Sequence, residues 1–491
     1  MRQLFSIVAG LVYVTSAAAA REDAAAVVDN RVAHSEIDAS DTFNFSKSYF
    51  IERPETVAVF AANNSLQPKN EEPAPRSDIG ETVADAVQAA LANNPQVQIA
   101  KSRVEAADAD RFAAVGRFLP DIEVSAAYSD ENLRSDSLQT LQDRDGTTLG
   151  VTAVQPISQG FSNLNRFRSA RASLSEADLA YEATRQETAL QAARAHAAVV
   201  LSREIVEHRI DNLALLNRQY EIVSKRQKAG AQGRTGVEQA LSRRAQAQVA
   251  LGEARAELAR SEAAYRRVVG HFTPATLEGG SFAFAQSSPS LEDSIVLAQK
   301  INPSVGAEEA ALKAARYSKS AAQGDFAPRI TLEGSYYQRF GADPSLTQED
   351  EEYQLVARLR VPIFNQGRNI AGLRNAKASV REAEASLDQT RREAEEAVTR
   401  SWRQLSQAEV KRIAAIQGIE AAKQSVRGLQ LEYEAGQRTV IDVLDGQRDL
   451  VQAEISLSQA EFDLRVSQYE LAAATGVILK EFGADAPGAR D

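Results

Sequence analysis

The chain is written twice. Asn94-Pro95 recurs as Asn302-Pro303 and Leu119-Pro120 as Ala327-Pro328, each 208 residues on, while Pro156 recurs as Pro362 and Gly230 as Gly436, each 206 residues on. One small insertion or deletion between Pro120 and Pro156 accounts for the change in offset. Whatever the fold, it is built from two copies of one unit, read here as residues 79–272 and 289–478 with a linker over 273–288. A period this long exceeds any solenoid repeat, so the halves are expected to face each other across a pseudo-twofold.

Residues 1–20 place Arg2 ahead of an apolar run from Leu4 to Val14 and end on Ala18, Ala19 and Ala20, the pattern of a secretory signal peptide. Export follows. The run is too short to span about 30 Å of hydrocarbon as a helix, and no later stretch is long and apolar enough either, so a membrane role has to use strands. The absence of cysteine excludes disulfides, thiolate metal sites, a cysteine nucleophile and a lipid anchor on an N-terminal cysteine. A net charge of −11, with no basic stripe interleaved with aromatics, argues against nucleic acid as a partner. Residues 21–78 hold Asn63-Asn64, Pro68, Pro73 and Pro75 without a helical or strand period and read as a flexible leader, and 479–491 reads as a C-terminal tail.

Within each copy the same elements follow in order. Val83, Val87 and Leu91 predict a short amphipathic helix ending before Asn94-Pro95, matched by Leu291 to Ile301, because the residue before proline is pushed out of the helical region. A second helix after each proline should run to about Gly116 and Gly324. Ile122, Val124, Ala126 and Tyr128 then alternate with Glu123, Ser125, Ala127 and Ser129, predicting strands over 121–130 and 148–157 joined by a polar loop from Asp130 to Thr147. In the second copy, Ile330, Leu332, Gly334 and Tyr336 mark a strand over 329–340. Tyr353, Leu355, Ala357, Leu359 and Val361, opposite Gln354, Val356, Arg358 and Arg360, mark one over 353–363, after a loop from Gly341 to Glu352. Strands of this length cross a bilayer when tilted, and Tyr128, Phe161, Tyr336, Tyr337, Phe340, Tyr353 and Phe364 are expected near their ends as an interfacial belt. Long helices are predicted over 163–229 and 369–435, about 100 Å each at about 1.5 Å per residue. Shorter ones follow, with seams at Leu450, Leu457, Leu464 and Leu471 in one copy and Leu251, Leu258 and Tyr265 in the other.

Four membrane-length strands cannot close a barrel, and an open edge in lipid is costly, so the chain has to oligomerise. Two chains give eight strands and a filled interior; three give twelve and leave a lumen, which the polar residues Glu123, Arg358 and Arg360 favour. The predicted fold class is therefore mainly α with a pair of transmembrane β-hairpins. A long coiled-coil α-barrel joins four strands per protomer that contribute to a twelve-stranded trimeric β-barrel. The competing reading, a periplasmic coiled-coil adaptor or structural protein, calls for globular β domains in place of paired membrane-length hairpins.

The duplicated blocks AVQAALANNPQVQIAKSRVEAADADRFAAVGRFLPDIEVSAAYS and NPSVGAEEAALKAARYSKSAAQGDFAPRITLEGSYY, together with EYEAGQRTVIDVLDGQRDLVQAEISLSQAEFDL, resemble the TolC-like outer membrane efflux proteins over roughly residues 80–480. The block GRTGVEQALSRRAQAQVALGEARAELARSEAAYRRVVG looks most like the branch serving type I secretion. The resemblance implies a homotrimeric duct in the outer membrane of a Gram-negative cell, extending through the periplasm, with no catalysis and no cofactor. It also implies a periplasmic adaptor and an ABC or proton-driven transporter of the inner membrane as partners. The chain has no G-x-x-x-x-G-K-[ST] sequence, in keeping with energy supplied by another protein.

Asp442 and Asp445, three residues apart on the helix that begins near Thr439, share a face; threefold symmetry makes them a ring of carboxylates, at positions that in the family line the periplasmic entrance. Such a ring selects cations, binds multivalent ones and raises its members' pKa values. Thr439-x-x-Asp442 is also a capping box. Tyr433 and Arg438 match family residues whose contacts hold the entrance shut. Gly236 stands where family members often put an aspartate for the arginine, with Glu238 as the available substitute. The four histidines are scattered along the chain and read as packing or surface residues rather than metal ligands, Trp402 reads as a packing anchor, and Glu351-Glu352 and Glu395-Glu396 as solvated charge.

Overall fold

The computed structural model describes residues 80–135, 140–230, 233–278, 290–340 and 350–484. The chain divides into Met1–Ala74 and Pro75–Asp491, and all described elements belong to the second unit. The signal segment, the leader, and parts of the linker and tail lie outside the described residues.

Each copy opens with two helices: α1 (Val83–Asn93) and α2 (Pro95–Gly116) in the first, α5 (Leu291–Ile301) and α6 (Pro303–Gly324) in the second. They start where the sequence provides caps. Thr82 and Asp85 close a capping box on α1, and Ser290 accepts from the Asp293 amide on α5. The asparagine of each Asn-Pro pair does more than end a helix. Asn94 Oδ1 accepts from the Gln96 amide at 2.9 Å while its Nδ2 donates to the Val268 carbonyl at 3.1 Å. Asn302 repeats both bonds, to the Ser304 amide at 2.9 Å and the Ala474 carbonyl at 3.1 Å. A duplicated dipeptide thus carries a duplicated tie.

The long helices α3 (Ser162–Lys228) and α7 (Arg368–Glu434) have 67 residues each, and the helices that fold back along them, α4 (Arg234–Val269) and α8 (Val440–Thr475), have 36 each. Two short strands, β1 (Glu81–Thr82) and β4 (Leu277–Glu278), pair in parallel. The largest core cluster lies beside them, where α1, α3, α4 and α8 meet around Tyr265 and Tyr469. Full burial of side chains of this kind contributes about 1.5–3 kcal/mol each. A last helix, α9 (Ile478–Glu481), brings Leu479 and Phe482 into the same cluster, so the chain stays packed beyond residue 478.

The main sheet runs β2 (Asp121–Ser135), β3 (Thr140–Gln159), β5 (Arg329–Phe340) and β6 (Asp350–Arg360), antiparallel throughout. Its first hairpin is longer than the alternation predicted. Asp130 to Ser135 pair with Asp145 to Thr140, so most of the expected loop is strand: polar residues form a ladder where both partners are backbone groups of one hairpin. Tyr128 consequently sits mid-strand rather than at an end. Strand β6 begins and ends three residues earlier than expected.

The helical seams also differ. In the first copy Leu251 and Tyr265 are buried as the heptads predict, while Leu258 between them is half-buried. In the second, Leu450, Leu457 and Leu464 are only half-buried, and the buried line runs through Val440, Leu444, Gln447, Val451, Ile455 and Ser458, reaching Leu471 further on. Trp402 packs half-buried against the cluster of Val398 and Leu405. The histidines, scattered in sequence, are not all apart in space: His196 Nε2 lies 3.3 Å from the Glu81 carbonyl, and His271 lies 3.3 Å from the Glu81 carboxylate. No group of three or more metal-ligating side chains forms among the described residues.

Candidate functional site

Two regions carry the geometry. In the sheet, the register aligns every apolar alternation on one face. Ile122, Val124 and Ala126 sit opposite Ala153, Val151 and Leu149. Val151 and Ala153 sit opposite Tyr336 and Gly334, and Tyr336, Gly334, Leu332 and Ile330 opposite Tyr353, Leu355, Ala357 and Leu359. The other face carries Glu123, Ser125, Thr148, Thr152, Glu333, Ser335, Gln354, Arg358 and Arg360. The apolar face is open: Val124 is 77% exposed, Tyr353 86% and Leu355 74%. Strands β2 and β6 are the two edges, each paired on one side only among the described residues. No described helix is long and apolar enough to cross a membrane.

The strands pass into the long helices through paired left-handed residues, Gly160-Phe161 (φ 60° and 62°) and Gln366-Gly367 (φ 59° and 76°), at equivalent positions of the two copies. Two successive αL residues swing the chain from strand into helix, and a glycine takes one of the two in each copy, which halves the steric cost. At the first of these turns the backbones of the copies touch: a Cβ on Gly324 would lie 2.4 Å from the Gly160 carbonyl oxygen. Asp325 fastens the same place, accepting from Ser162 Oγ at 3.0 Å and from Arg166 and Arg329 at 3.0 and 3.1 Å. Asn163 donates to the Arg117 carbonyl and its counterpart Asn369 to the Asp325 carbonyl, so this tie is duplicated too.

At the other end of the long helices, Leu216, Val223, Ala240 and Ala247 of the first copy pack on Val440 and Leu444 of the second. All four residues singled out in the sequence lie beside this cluster. Asp442 Oδ2 accepts from the Thr439 amide at 2.9 Å and the Thr439 hydroxyl at 2.7 Å, which starts α8. Those two bonds, then the charge of Arg438, hold the Asp442 carboxyl below its ordinary pKa. Arg438 donates to Glu432 at 2.8 Å, and Glu238 lies 3.7 Å from Arg234, so within the protomer Glu238 is not the partner of Arg438.

Two arginines of the first copy, which the sequence offered no reason to choose, complete the cluster. Arg226 donates to the Tyr433 hydroxyl at 2.8 Å with its guanidinium 5.2 Å above the ring. Arg243 donates to Asp445 at 2.6 Å. Both bonds join the first helical hairpin to the second, and their partners are not related by the repeat offset, so the duplication gave no hint of them.

Comparison with known proteins gives this architecture a setting. The chain is 29% identical over 398 residues to the outer membrane efflux protein BepC of Brucella suis, covering 81% of this chain and 86% of BepC. It is 28% identical over 413 residues to the outer membrane protein TolC of Vibrio cholerae, covering 82% and 92%. The crystal structure of the Campylobacter jejuni CmeC outer membrane channel superposes with a TM-score of 0.71 at 17% identity, covering 81% of this chain and 86% of that one, which shows a shared fold. The family model described as outer membrane efflux protein matches residues 86–271 and 294–477, the two copies in turn. The chain belongs to the outer membrane efflux protein family.

Proposed function

We propose that three copies of this chain form the passive exit duct of a tripartite type I secretion or efflux system. The observation that carries this is the four-stranded sheet with one apolar face and two edges unpaired in the described structure. In lipid, such a sheet is stable once its edges are closed by other copies. Three copies bring twelve strands, with the polar face carrying Glu333, Arg358 and Arg360 turned to a lumen. Helices of 67 residues then carry the wall about 100 Å away from the bilayer into the periplasm. An adaptor and an inner-membrane transporter, ATP-driven or proton-driven, open the far end and supply the energy, and this chain needs no catalytic residue or cofactor.

The helical tip is the entrance in this reading. Asp442 and Asp445 of three protomers line it, and Tyr433 and Arg438 contribute to keeping it closed. Single-channel recording of the purified oligomer in planar bilayers tests the proposal, with a trivalent cation added on the periplasmic side. A small cation-selective conductance, blocked in the wild type and not in Asp442→Ala/Asp445→Ala, is expected. Absence of channels from folded oligomer would reject the duct in favour of a periplasmic adaptor. Channels blocked equally with and without the two aspartates would remove those residues from the entrance.

A further inference from the structure

Of the two carboxylates that each protomer brings to the proposed entrance, one has a permanent counter-charge. Arg243 Nη2 donates to Asp445 Oδ1 at 2.6 Å, and Nη1 of the same guanidinium reaches Gln246 Oε1 at 3.3 Å. The Arg243 side chain is 26% exposed and that of Asp445 40%, so the pair is partly shielded from salt. The other cations nearby make their hydrogen bonds to groups other than Asp445. Arg438 is bonded to Glu432, and Arg448, 3.8 Å from Asp445, donates to Asp449 at 3.2 Å. Arg243 comes from α4 of the first copy and Asp445 from α8 of the second, so the pair exists only where the two repeats meet.

We propose that Arg243 sets the charge, and hence the ion selectivity, of the entrance by neutralising Asp445. This rests on the reading that Asp442 and Asp445 line a threefold entrance. Six carboxylates and three guanidiniums leave a ring with half the nominal negative charge, contributed by Asp442. A cation crossing the ring is attracted by that reduced charge, and a trivalent blocker is the most sensitive probe of it, because its interaction scales with both charges.

Reversal potentials under a salt gradient, and block by hexaamminecobalt(III), measured on wild type, R243Q, R243K, D445N and R243Q/D445N, test the assignment. R243Q should be blocked at about tenfold lower concentration and be more cation-selective, while R243K behaves as wild type. D445N leaves Arg243 facing Asp442 alone and should lose block. R243Q/D445N removes both charges and should return to within about twofold of wild type. That return separates charge from packing, since removing a second side chain from a structural contact would not restore it. Unchanged block in R243Q overturns the proposal, as does a double variant that stays as altered as R243Q or D445N. Should R243Q fail to assemble, D445N compared with the double variant distinguishes the same two outcomes. A wild type without channels, or channels without block, instead counts against the entrance reading itself.

Discussion

The duplication lets one residue be tested against its own copy. Gly324 and Gly116 occupy equivalent positions at the ends of α6 and α2, yet a Cβ on Gly324 meets the Gly160 carbonyl oxygen at 2.4 Å whereas one on Gly116 meets nothing within 4 Å. Gly324→Ala should therefore cost about 2 kcal/mol or more, because backbone has to move. Gly116→Ala should leave the protomer folded and impair assembly, if the neighbour's Gln366-Gly367 turn takes the place that Gly160-Phe161 takes beside Gly324. Comparing folded monomer with oligomer by electrophoresis of unheated samples separates these outcomes. Asp442 makes a second residue-scale prediction. Its folded pKa is lowered by the Thr439 hydroxyl and amide and by Arg438, so the stability it contributes is present above the unfolded value. It is lost as pH falls from the ordinary aspartate range through the lowered value. The difference in unfolding midpoint between wild type and Asp442→Asn should be constant near neutrality and shrink in that acid range.

Among elements, the weak place is α8. Gln447 is 2% exposed in the buried line of that helix, and neither its amide nitrogen nor its oxygen has a hydrogen-bond partner. A buried unsatisfied amide is costly, so Gln447→Leu should stabilise the fold by about 1 kcal/mol or more, read as a raised midpoint in urea unfolding. The same helix shows what the sequence can and cannot tell. Its start was legible because Thr439 and Asp442 are a local signal, and the ends of α2 and α6 were legible because proline and glycine punctuate them. Its seam was not: the leucines at 450, 457 and 464 keep heptad spacing but sit beside the buried line, which mixes Leu444 and Ile455 with the smaller Val440 and Val451 and the polar Gln447 and Ser458. Pairing of Asp130 to Ser135 was equally invisible, since polar residues carry no burial pattern and the ladder uses backbone alone. Asp442 and Asp445 could be picked out by their spacing and by the family resemblance, but Arg226 and Arg243 depend on how two distant hairpins pack, which no local pattern encodes.

For the whole molecule, if three chains close as proposed, contacts within the protomer foretell those between protomers. Helix α3 packs along α6, with Ser169 and Ser318 hydroxyls 2.8 Å apart and Leu179 against Gly306. The equivalent helices α7 and α2 have no such packing within the chain. Their matching residues, Asn375 and Asp110, are exposed and chemically suited to one another as donor and acceptor. If three chains close with the repeats around a pseudo-sixfold, Asn375 of one protomer meets Asp110 of the next. The natural chain has no cysteine, so the test is clean. Ser169→Cys/Ser318→Cys should oxidise within one chain, and Asp110→Cys/Asn375→Cys should join chains into covalent trimers on denaturing gels. A disulfide confined to single chains in the second variant would contradict the closure.

Val83 near the start of the first copy and Phe482 just after the second lie in one cluster, so the described chain ends where it began. A circularly permuted gene, reading the second copy before the first and opened between Glu278 and Ser290, would preserve every contact described for α1, α3, α4, α8 and α9. Heat-modifiable oligomer in the outer membrane from such a gene would show that the order of the repeats is an inheritance of the duplication and not a requirement of the fold. Its absence would locate a folding step that needs the first unit to emerge first.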